Sequence, residues 1–260
     1  MSASTLALDL AAALDPVALA RRAGLEPDPW QAAVLRAPER RLLLNCSRQS
    51  GKSTTTAALA THGMLYDPGS LALLVSPSER QSIELLRKVK DTLAALGVTA
   101  DEFAKENTLG IETTTGSRVV ALPGREDTIR AFSGVRLILI DEASRALDTL
   151  YHALRPMLAV SGGRLVLLST PNGTRGFFYE AWSHGGAAWR RFEVPATMCP
   201  RITPEFLAEE RRSLPRDVYR QEYECQFIEA SGSVFDADDL AAMFGEDPAR
   251  VETAEGWLTI

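Results

Sequence analysis

The segment Ser47-Arg-Gln-Ser-Gly-Lys-Ser53 combines side chains that bind phosphate with a glycine that lets the backbone approach it closely. It follows the apolar run Arg41–Cys46 and precedes a segment with helical character that extends to about Tyr66. Successive N–H groups at the start of such a helix present a positive dipole to a phosphate group. The pattern therefore predicts a phosphate-binding loop between a strand and a helix, which is the context of a Walker A motif.

Individual side chains of this loop have distinct predicted roles. Lys52 would neutralise the β- and γ-phosphates of ATP, and the Ser53 hydroxyl would ligate Mg²⁺. The sequence departs from the usual pattern at Cys46, which occupies the position of the first glycine. Because Gly-Lys-Ser is short, an ordinary helix cap is the alternative interpretation. The predicted nucleotide-binding residues of the loop are Ser47, Arg48, Gln49, Ser50, Gly51, Lys52, Ser53 and Thr54.

A second acidic motif complements the loop. The apolar run Leu137–Ile140 ends in Asp141-Glu142. Ligands of a parallel sheet gather beyond the carboxyl ends of its strands, so we expect Asp141 to lie near Ser53. Asp141 would hold Mg²⁺ through water, and Glu142 would polarise the attacking water. An acidic pair that merely starts a turn is the alternative, but the two motifs in this order and context argue against chance.

Two further pairs of residues are candidates for nucleotide contacts. Ser169 and Thr170 end another apolar run, where they could sense the γ-phosphate; a plain strand-to-turn transition explains them equally well. Trp30 and Gln31 precede the first strand, where they could contact adenine by stacking or through the amide. The alternative for this segment is a helix N-terminus at Asp28.

The elements that must position these residues follow from the hydrophobic pattern. Short apolar runs alternate with helical patterns, which is typical of βαβ units and a mostly parallel sheet. Two β-rich runs within residues 109–122 flank Thr115-Gly-Ser117 and predict a hairpin at a sheet edge. The predicted parallel strands are Arg41–Cys46, Leu71–Val75, Leu137–Ile140, Arg164–Leu168 and Arg191–Val194. The predicted later helices are, approximately, Ser78–Leu96, Pro204–Ser213 and Pro215–Glu224.

Composition excludes several classes of protein. The chain has 260 residues and a formal net charge of −6, which argues against a globally basic nucleic-acid sleeve. No apolar stretch approaches the length of a membrane span, and the first 14 residues lack the basic start of a signal peptide. We therefore expect a cytoplasmic protein. The three cysteines form no C-x-x-C pair and the three histidines stand far apart, which argues against a disulfide framework and a zinc site.

Together these residues resemble the ATPase domain of the large terminase subunit, the motor that packages DNA into tailed-phage capsids. The similarity covers roughly residues 28–229 and rests on Trp30-Gln31, Ser47–Ser53, Leu139-Ile-Asp-Glu142, Ser169-Thr-Pro-Asn-Gly173 and Gly176-Phe-Phe-Tyr179. The Arg-Gln pair within the loop is its most specific part. The resemblance implies that Arg48 is an arginine finger acting in cis; a solvated loop arginine is the alternative.

The same resemblance implies a second arginine finger, supplied by the neighbouring subunit of a ring. Residues 124–134 are similar to the segment that carries it. Arg130 is the first candidate and Arg125 the second, and such a residue would offset transition-state charge on the phosphoryl group. A surface arginine paired with Glu126 or Asp127 is the alternative.

The resemblance also implies the domain organisation. We expect a P-loop ATPase core over residues 1–197, with an N-terminal helical segment to about residue 37, and a small lid subdomain over residues 198–230. Residues 231–260 would be a linker toward an RNase H-like nuclease domain, so no DNA cleavage is expected from this chain. The acidic residues assigned to this linker are Asp236, Asp238, Asp239 and Asp247.

The expected function is therefore Mg²⁺-dependent ATP hydrolysis that drives double-stranded DNA into a procapsid. The implied partners are double-stranded DNA, identical subunits in a ring, a portal protein and the small terminase subunit, in the cytoplasm of an infected host cell. A helicase-like translocase is one alternative, although such enzymes normally need a second P-loop-like domain. A nucleotide-binding docking module with little hydrolysis is the other, although it has no need of Glu142.

Overall fold

The structure, a computed structural model, describes residues 3–123, 132–229, 250–253 and 256–259. The chain divides into two compact units, Met1–Ile228 and Glu229–Ile260. The predicted boundaries at residues 197 and 230 remain predictions.

Three helices open the first unit, within the segment predicted to be helical. They are α1 (Ala3–Leu14), α2 (Pro16–Arg22) and α3 (Pro29–Arg36). Both α2 and α3 begin with proline, whose fixed φ and missing N–H suit the first helical position. The Asp15 carboxylate accepts the Val17 N–H at 3.0 Å, and the Asp28 N–H donates to Gln31 Oε1 at 2.8 Å. Asp28 therefore stands at a helix N-terminus, as one interpretation of the sequence proposed.

The rest of the first unit alternates strands and helices. In chain order the elements are β1 (Arg41–Cys46), α4 (Lys52–Tyr66), β2 (Leu71–Ser76), α5 (Glu79–Ala95), β3 (Phe103–Glu106), β4 (Gly110–Thr113), β5 (Arg118–Pro123), β6 (Leu137–Asp141), α6 (Asp148–Leu154), β7 (Arg164–Ser169), α7 (Gly176–His184), β8 (Arg190–Val194), α8 (Pro204–Ser213) and α9 (Arg216–Glu224). The predicted strands and helices agree with these bounds to within one or two residues.

The eight strands form one sheet in the order β3-β4-β5-β2-β6-β7-β1-β8. The six strands from β5 to β8 in this order are mutually parallel, and β3, β4 and β5 pair antiparallel. The mixed, mostly parallel sheet confirms the predicted α/β class, and β6 lies inside it as expected. Most important for the site, β7 separates β1 from β6.

The predicted hairpin is present as β4 and β5, joined by a turn in which Gly116 has φ 83°. It does not end the sheet, because β5 also pairs parallel with β2 and the short strand β3 adds a further edge. The sequence of β3, Phe-Ala-Lys-Glu, is largely exposed and has no apolar alternation, so hydrophobic pattern could not reveal it.

Helices cover both faces of the sheet, which is why its central strands are apolar throughout. Alternate residues of a strand point to opposite faces, so Leu42 and Leu44 pack with α3, α4 and α5. Leu43 lies between them in sequence and packs on the other face, with residues of α6 and α7. This two-sided burial fixes the strand ends, and hence the loops that leave them.

The lid segment has a small core of its own. Helices α8 and α9 pack through Leu207, Tyr219 and Tyr223 together with Ala196. The second unit contains a two-stranded antiparallel sheet, β9 (Arg250–Thr253) with β10 (Gly256–Thr259). The linker role of this region remains a prediction.

Candidate active site

The loop 47–51 connects the buried end of β1 to α4. Gly51 precedes the helix with φ 92°, and Gln49 also has a left-handed backbone with φ 58°. The left-handed backbone favours glycine here, and a Cβ on Gly51 would lie 2.9 Å from Gln31 Nε2, so it would have to displace that amide group. Cys46 is the last residue of β1, is fully buried and has no positive φ. The missing first glycine therefore imposes no strain on this loop.

Ser53 and Asp141 meet across the sheet, as the two motifs predicted. Ser53 Oγ donates to Asp141 Oδ2 at 2.9 Å, and the Glu142 N–H donates to Asp141 Oδ1 at 2.9 Å. Burial is the main cause that raises the pKa of the Asp141 carboxyl; the nearby Lys52 opposes this shift and Glu142 adds to it. The site therefore holds a desolvated carboxylate beside a hydroxyl, both of which are oxygen donors suited to Mg²⁺.

The Glu142 carboxylate lies between two cations. Its Oε1 is 3.3 Å from Lys52 Nζ, and its Oε2 accepts a hydrogen bond from Arg145 Nη1 at 3.1 Å. The backbone of Glu142 is left-handed, with φ 51°, which is uncommon for a residue other than glycine. This backbone turns the chain sharply at the end of β6, so consecutive residues Asp141 and Glu142 both serve the site.

The end of β7 bonds to the turn after β6. The Ser144 and Ser169 hydroxyls are 2.7 Å apart, and the Ser144 N–H donates to Ser169 Oγ at 3.2 Å. Thr170 Oγ1 accepts from Arg145 Nη1 at 3.1 Å. Thr170 is thus linked to Glu142 through Arg145, and Ser169 is bonded to Ser144 in the same turn. Their role as a phosphate sensor remains a prediction.

Arg48 and Arg145 share one carboxylate of the lid. Arg48 Nη1 lies 3.9 Å from Glu222 Oε2, and Arg145 Nη2 lies 3.6 Å from Glu222 Oε1. The Arg48 N–H also donates to the Glu222 carbonyl oxygen at 2.9 Å. The Arg48 side chain is 68% exposed and therefore largely solvated in this structure. Its role as an arginine finger remains a prediction.

A second link joins the lid segment to α3. Arg201 makes a bidentate pair with Asp28, with N···O distances of 3.0 and 2.7 Å, and also donates to the Ser50 carbonyl oxygen at 3.2 Å. Beside it lies a cavity of about 310 Å³ whose lining includes Gln31, Gly51, Thr54, Thr55 and Arg201.

Trp30 lies in the hydrophobic core and is only 5% exposed, whereas Gln31 borders this cavity. The adenine contact of both residues remains a prediction, and the burial of Trp30 favours a packing role for its ring.

Sequence reasoning missed Ser144, Arg145, Arg201 and Glu222. Arg145 is three residues from Glu142, but a charged residue in a turn is ordinary and gave no signal. Glu222 and Arg201 approach the loop only through the tertiary fold. The candidate trans-acting residues Arg125 and Arg130 lie outside the described residues.

Three buried cysteines lie near the site or its lid. Cys46, Cys199 and Cys225 are all free thiols. Burial raises the pKa of each thiol, that of Cys225 to about 12, and the Cys225 thiol donates to the Val194 carbonyl oxygen. Within the described residues no group of three or more His, Cys, Asp or Glu side chains could hold a metal, and no helix could span a membrane.

Comparisons with known proteins identify the family of this chain. The family described as terminase large subunit, T4likevirus-type, N-terminal, matches residues 43–242. The terminase large subunit of Thermus phage G20c is 24% identical over 253 residues, which cover 84% of this chain and 52% of the relative. That of Escherichia phage T5 is 26% identical over 254 residues, which cover 90% and 57%. The chain thus spans about half the length of these relatives.

Two solved structures share the fold. The large terminase ATPase domain of Thermus phage P74-26 superposes with a TM-score of 0.71 at 22% identity, covering 80% of this chain and 97% of that one. The large terminase of bacteriophage HK97 gives a TM-score of 0.66 at 14% identity, covering 87% and 55%. The fold is that of a P-loop NTPase of this type, and the chain belongs to the family of terminase large subunits, N-terminal domain.

Proposed function

We propose that this chain hydrolyses ATP with Mg²⁺ and that the cycle drives double-stranded DNA into a procapsid. The observation that most strongly supports this proposal is that two contacts join the start of α4 to the end of β6. Ser53 bonds to Asp141, and Lys52 pairs with Glu142. A protein that only bound nucleotide would not need Glu142 beside the phosphate lysine. The terminase relatives support the packaging role.

The oxygens of Ser53 and Asp141 fit Mg²⁺, which prefers hard oxygen ligands and usually keeps several waters. When bound together with ATP, Mg²⁺ would supply positive charge that offsets the negative charge developing on the phosphoryl group during transfer. Asp141 would hold Mg²⁺ through a water molecule, and the Ser53 hydroxyl would ligate the ion directly.

The residues of the chain then have separable tasks. The N–H groups at the start of α4 hold the phosphates, and Lys52 pairs with the β- and γ-phosphate oxygens. Phosphate oxygens that compete for Lys52 release one side of the Glu142 carboxylate toward the attacking water. The water oxygen bonds to the γ-phosphorus, the bond from that phosphorus to the bridging oxygen of ADP breaks, and Glu142 accepts the water proton.

The cavity beside the loop would receive the adenosine. Gln31, Thr54 and Arg201 border it with polar groups, and it opens next to Gly51. Because Gln31 already caps Asp28 through its Oε1, its Nε2 is the group left to meet the base.

Assembly would complete the site. In this proposal Arg130, or Arg125 in second place, enters the site of the neighbouring subunit in a ring, and Arg48 acts in cis. The ring would dock on a portal protein, act with the small terminase subunit and operate in the host cytoplasm. The terminase family membership supports these partners.

The first test is Glu142→Gln, which keeps the size of the side chain and removes its basicity. Steady-state phosphate release should fall by about 10²–10⁴-fold, the usual contribution of a general base, while a fluorescent ATP analogue still binds. The matched control is Glu180→Gln, an exposed residue of α7 paired with His184, which should leave the rate unchanged. A wild-type chain that binds nucleotide but does not hydrolyse it would instead identify a docking module.

The second test is the dependence of the rate on protein concentration. If a neighbour supplies Arg130, the specific activity of the wild type should rise with concentration, and Arg130→Ala should remove that rise. A rate strictly proportional to concentration and indifferent to Arg130→Ala would leave an ATPase and refute the trans-acting finger.

A further inference from the structure

A cleft of about 540 Å³ lies at the opposite edge of the sheet from the nucleotide site. Arg40 and Arg41 line it at the amino end of β1, and His152 and Arg155 line it from α6 and the turn that follows. The remaining lining residues are Pro156, Leu158, Ala159, Gly162, Gly163 and Leu165, so none of the lining residues carries a carboxylate.

Two of the three arginines, Arg155 and Arg40, are held by packing contacts. The Arg155 guanidinium lies 5.4 Å from the centroid of the Tyr151 ring. The Arg40 guanidinium lies against Gly162, with Nη1 3.2 Å from the position a Cβ would take there. Arg40, Arg41 and Arg155 are exposed, and within the part of the chain that the structure describes none of them forms an ion pair within 4.0 Å.

The positive charge continues along the same edge. The parallel strands β6, β7 and β1 are neighbours, and Arg136 immediately precedes β6 while Arg164 is the first residue of β7. In the register of the sheet Arg164 lies beside Leu137 and Arg41 beside Leu165, so Arg136, Arg164 and Arg41 all stand at the amino ends of these strands but do not form one row. Acidic groups offset part of this charge, since Asp67 pairs with Arg136 at 3.4 Å and Glu39 attracts Arg164. The unbalanced charge is therefore concentrated in the cleft.

We infer that this cleft binds the phosphate backbone of double-stranded DNA, an inference that rests on the proposed function. Guanidinium groups match phosphate oxygens in bidentate geometry. The cleft is open and its cations are exposed, which suits a continuous polyanion better than a single enclosed phosphate. Although the net charge of the chain is −6, a local cluster of cations of this kind provides the positive surface that binding to a nucleic acid requires.

The test measures fluorescence anisotropy of a labelled 30-base-pair duplex, without nucleotide, as a function of salt. The variant is Arg40→Gln/Arg41→Gln/Arg155→Gln, and the matched control is Arg21→Gln/Arg87→Gln/Arg212→Gln, which removes the same charge from exposed helix positions. Since each lost phosphate contact lowers the slope of log K against log salt by about 0.9, the cleft variant should lose about 2.7 in slope. We expect its affinity near 0.1 M salt to fall on the order of tenfold or more.

Basal ATP hydrolysis without DNA is measured on the same samples and should be equal in wild type and both variants. The single charge reversal Arg41→Glu, at a side chain that is exposed, should weaken duplex binding in the same direction. Equal duplex binding by the cleft and control variants would overturn the inference. So would a cleft variant that binds DNA normally but loses binding to an acidic polypeptide such as poly-glutamate. Absence of hydrolysis in a wild type that still binds DNA through the cleft would refute the ATPase proposal alone.

Discussion

Across the residues that the structure describes, positively charged side chains are paired at the carboxyl ends of the sheet's strands and unpaired in the cleft at the amino ends. At the carboxyl edge, Lys52 pairs with Glu142, Arg145 with Glu142 and Glu222, and Arg201 with Asp28. At the amino edge, the arginines of the cleft form no ion pair among the described residues. The cations of the carboxyl edge are thus oriented by ion pairs within the chain, without bound nucleotide. The arginines of the amino edge remain available to bind an anionic partner.

This difference has a physical reason. A phosphoryl-transfer site gains rate from groups that are already oriented, because no reorganisation is needed at the moment of reaction. A surface that tracks a polyanion gains from cations whose counterions are released on contact, and internal carboxylates would compete with that contact. Changes at one edge should therefore leave the activity of the other edge intact, which Asp141→Asn tests directly, and two further variants dissect the carboxyl edge itself.

The largest effect is expected from Asp141→Asn, which keeps the acceptor for the Glu142 N–H and removes the buried charge. Under the proposed role of Asp141 in holding Mg²⁺, hydrolysis should fall by about 10²-fold or more, while duplex binding stays unchanged. The pKa of the Asp141 carboxyl is higher in the folded chain than in the unfolded chain, so the folded chain binds the carboxyl proton more tightly. The free energy of unfolding of the wild type therefore decreases as pH rises through the folded-state pKa of Asp141. At pH 7 without nucleotide, the melting temperature of Asp141→Asn should exceed that of the wild type by about 2–4 °C.

As pH falls toward the ordinary range of an aspartate carboxyl, the wild-type Asp141 carboxyl is protonated in the folded chain because its pKa is raised, and this stability difference should narrow. Thermal melts followed by circular dichroism from pH 4 to 8 measure it. A variant that is less stable than the wild type throughout would mean that the attraction of Lys52 outweighs the cost of burial.

The next effect concerns the backbone of the phosphate loop. Gly51→Ala places a Cβ at φ 92° and 2.9 Å from Gln31 Nε2, whereas Gly116→Ala adds one at φ 83° with nothing within 4 Å. Both variants should lose about 1–2 kcal/mol of unfolding free energy from the left-handed backbone. Only Gly51→Ala should also lose nucleotide affinity, by about tenfold, in titrations with a fluorescent ATP analogue. Equal nucleotide affinity in both variants would show that Gln31 moves aside freely.

The smallest effect is expected from Arg145→Ala, which removes contacts to Glu142, Thr170 and Glu222 without touching the phosphate loop. The maximal rate should decrease by about tenfold with little change in nucleotide affinity, because Arg145 orients the carboxylate and does not hold ATP. Arg87→Ala, which removes an exposed pair with Glu84, is the control and should change neither quantity. A change in affinity alone would place Arg145 among the ligands of the nucleotide.

Sequence reasoning recovered the parts of the site that are encoded locally. The phosphate loop and the acidic strand end are contiguous patterns, and the rule that parallel strands share a carboxyl edge was sufficient to bring Ser53 to Asp141. The alternation of apolar runs and helical segments was likewise enough for the sheet. The edge strand β3 was not predicted, because its largely exposed sequence lacks the apolar alternation by which strands are recognised.

The remaining contacts depend on side chains distant in sequence. Arg145 and Glu222 are 77 positions apart and meet only when the lid packs beside the loop. Arg41 and Arg155 line one cleft although more than 100 residues separate them, and each alone is an ordinary surface arginine. Arg130 belongs to a segment outside the described residues, so its assignment still rests on similarity.

The burial of all three thiols has a practical consequence for measuring the proposed DNA binding. Thiol-directed dyes react with the thiolate, and the raised pKa values of Cys46 and Cys225 suppress that form in the folded chain. A cysteine introduced at Val160, which is 96% exposed in the turn beside the arginine cleft, would therefore react first. Single-site labelling of the otherwise native chain could then report distances to a dye on DNA.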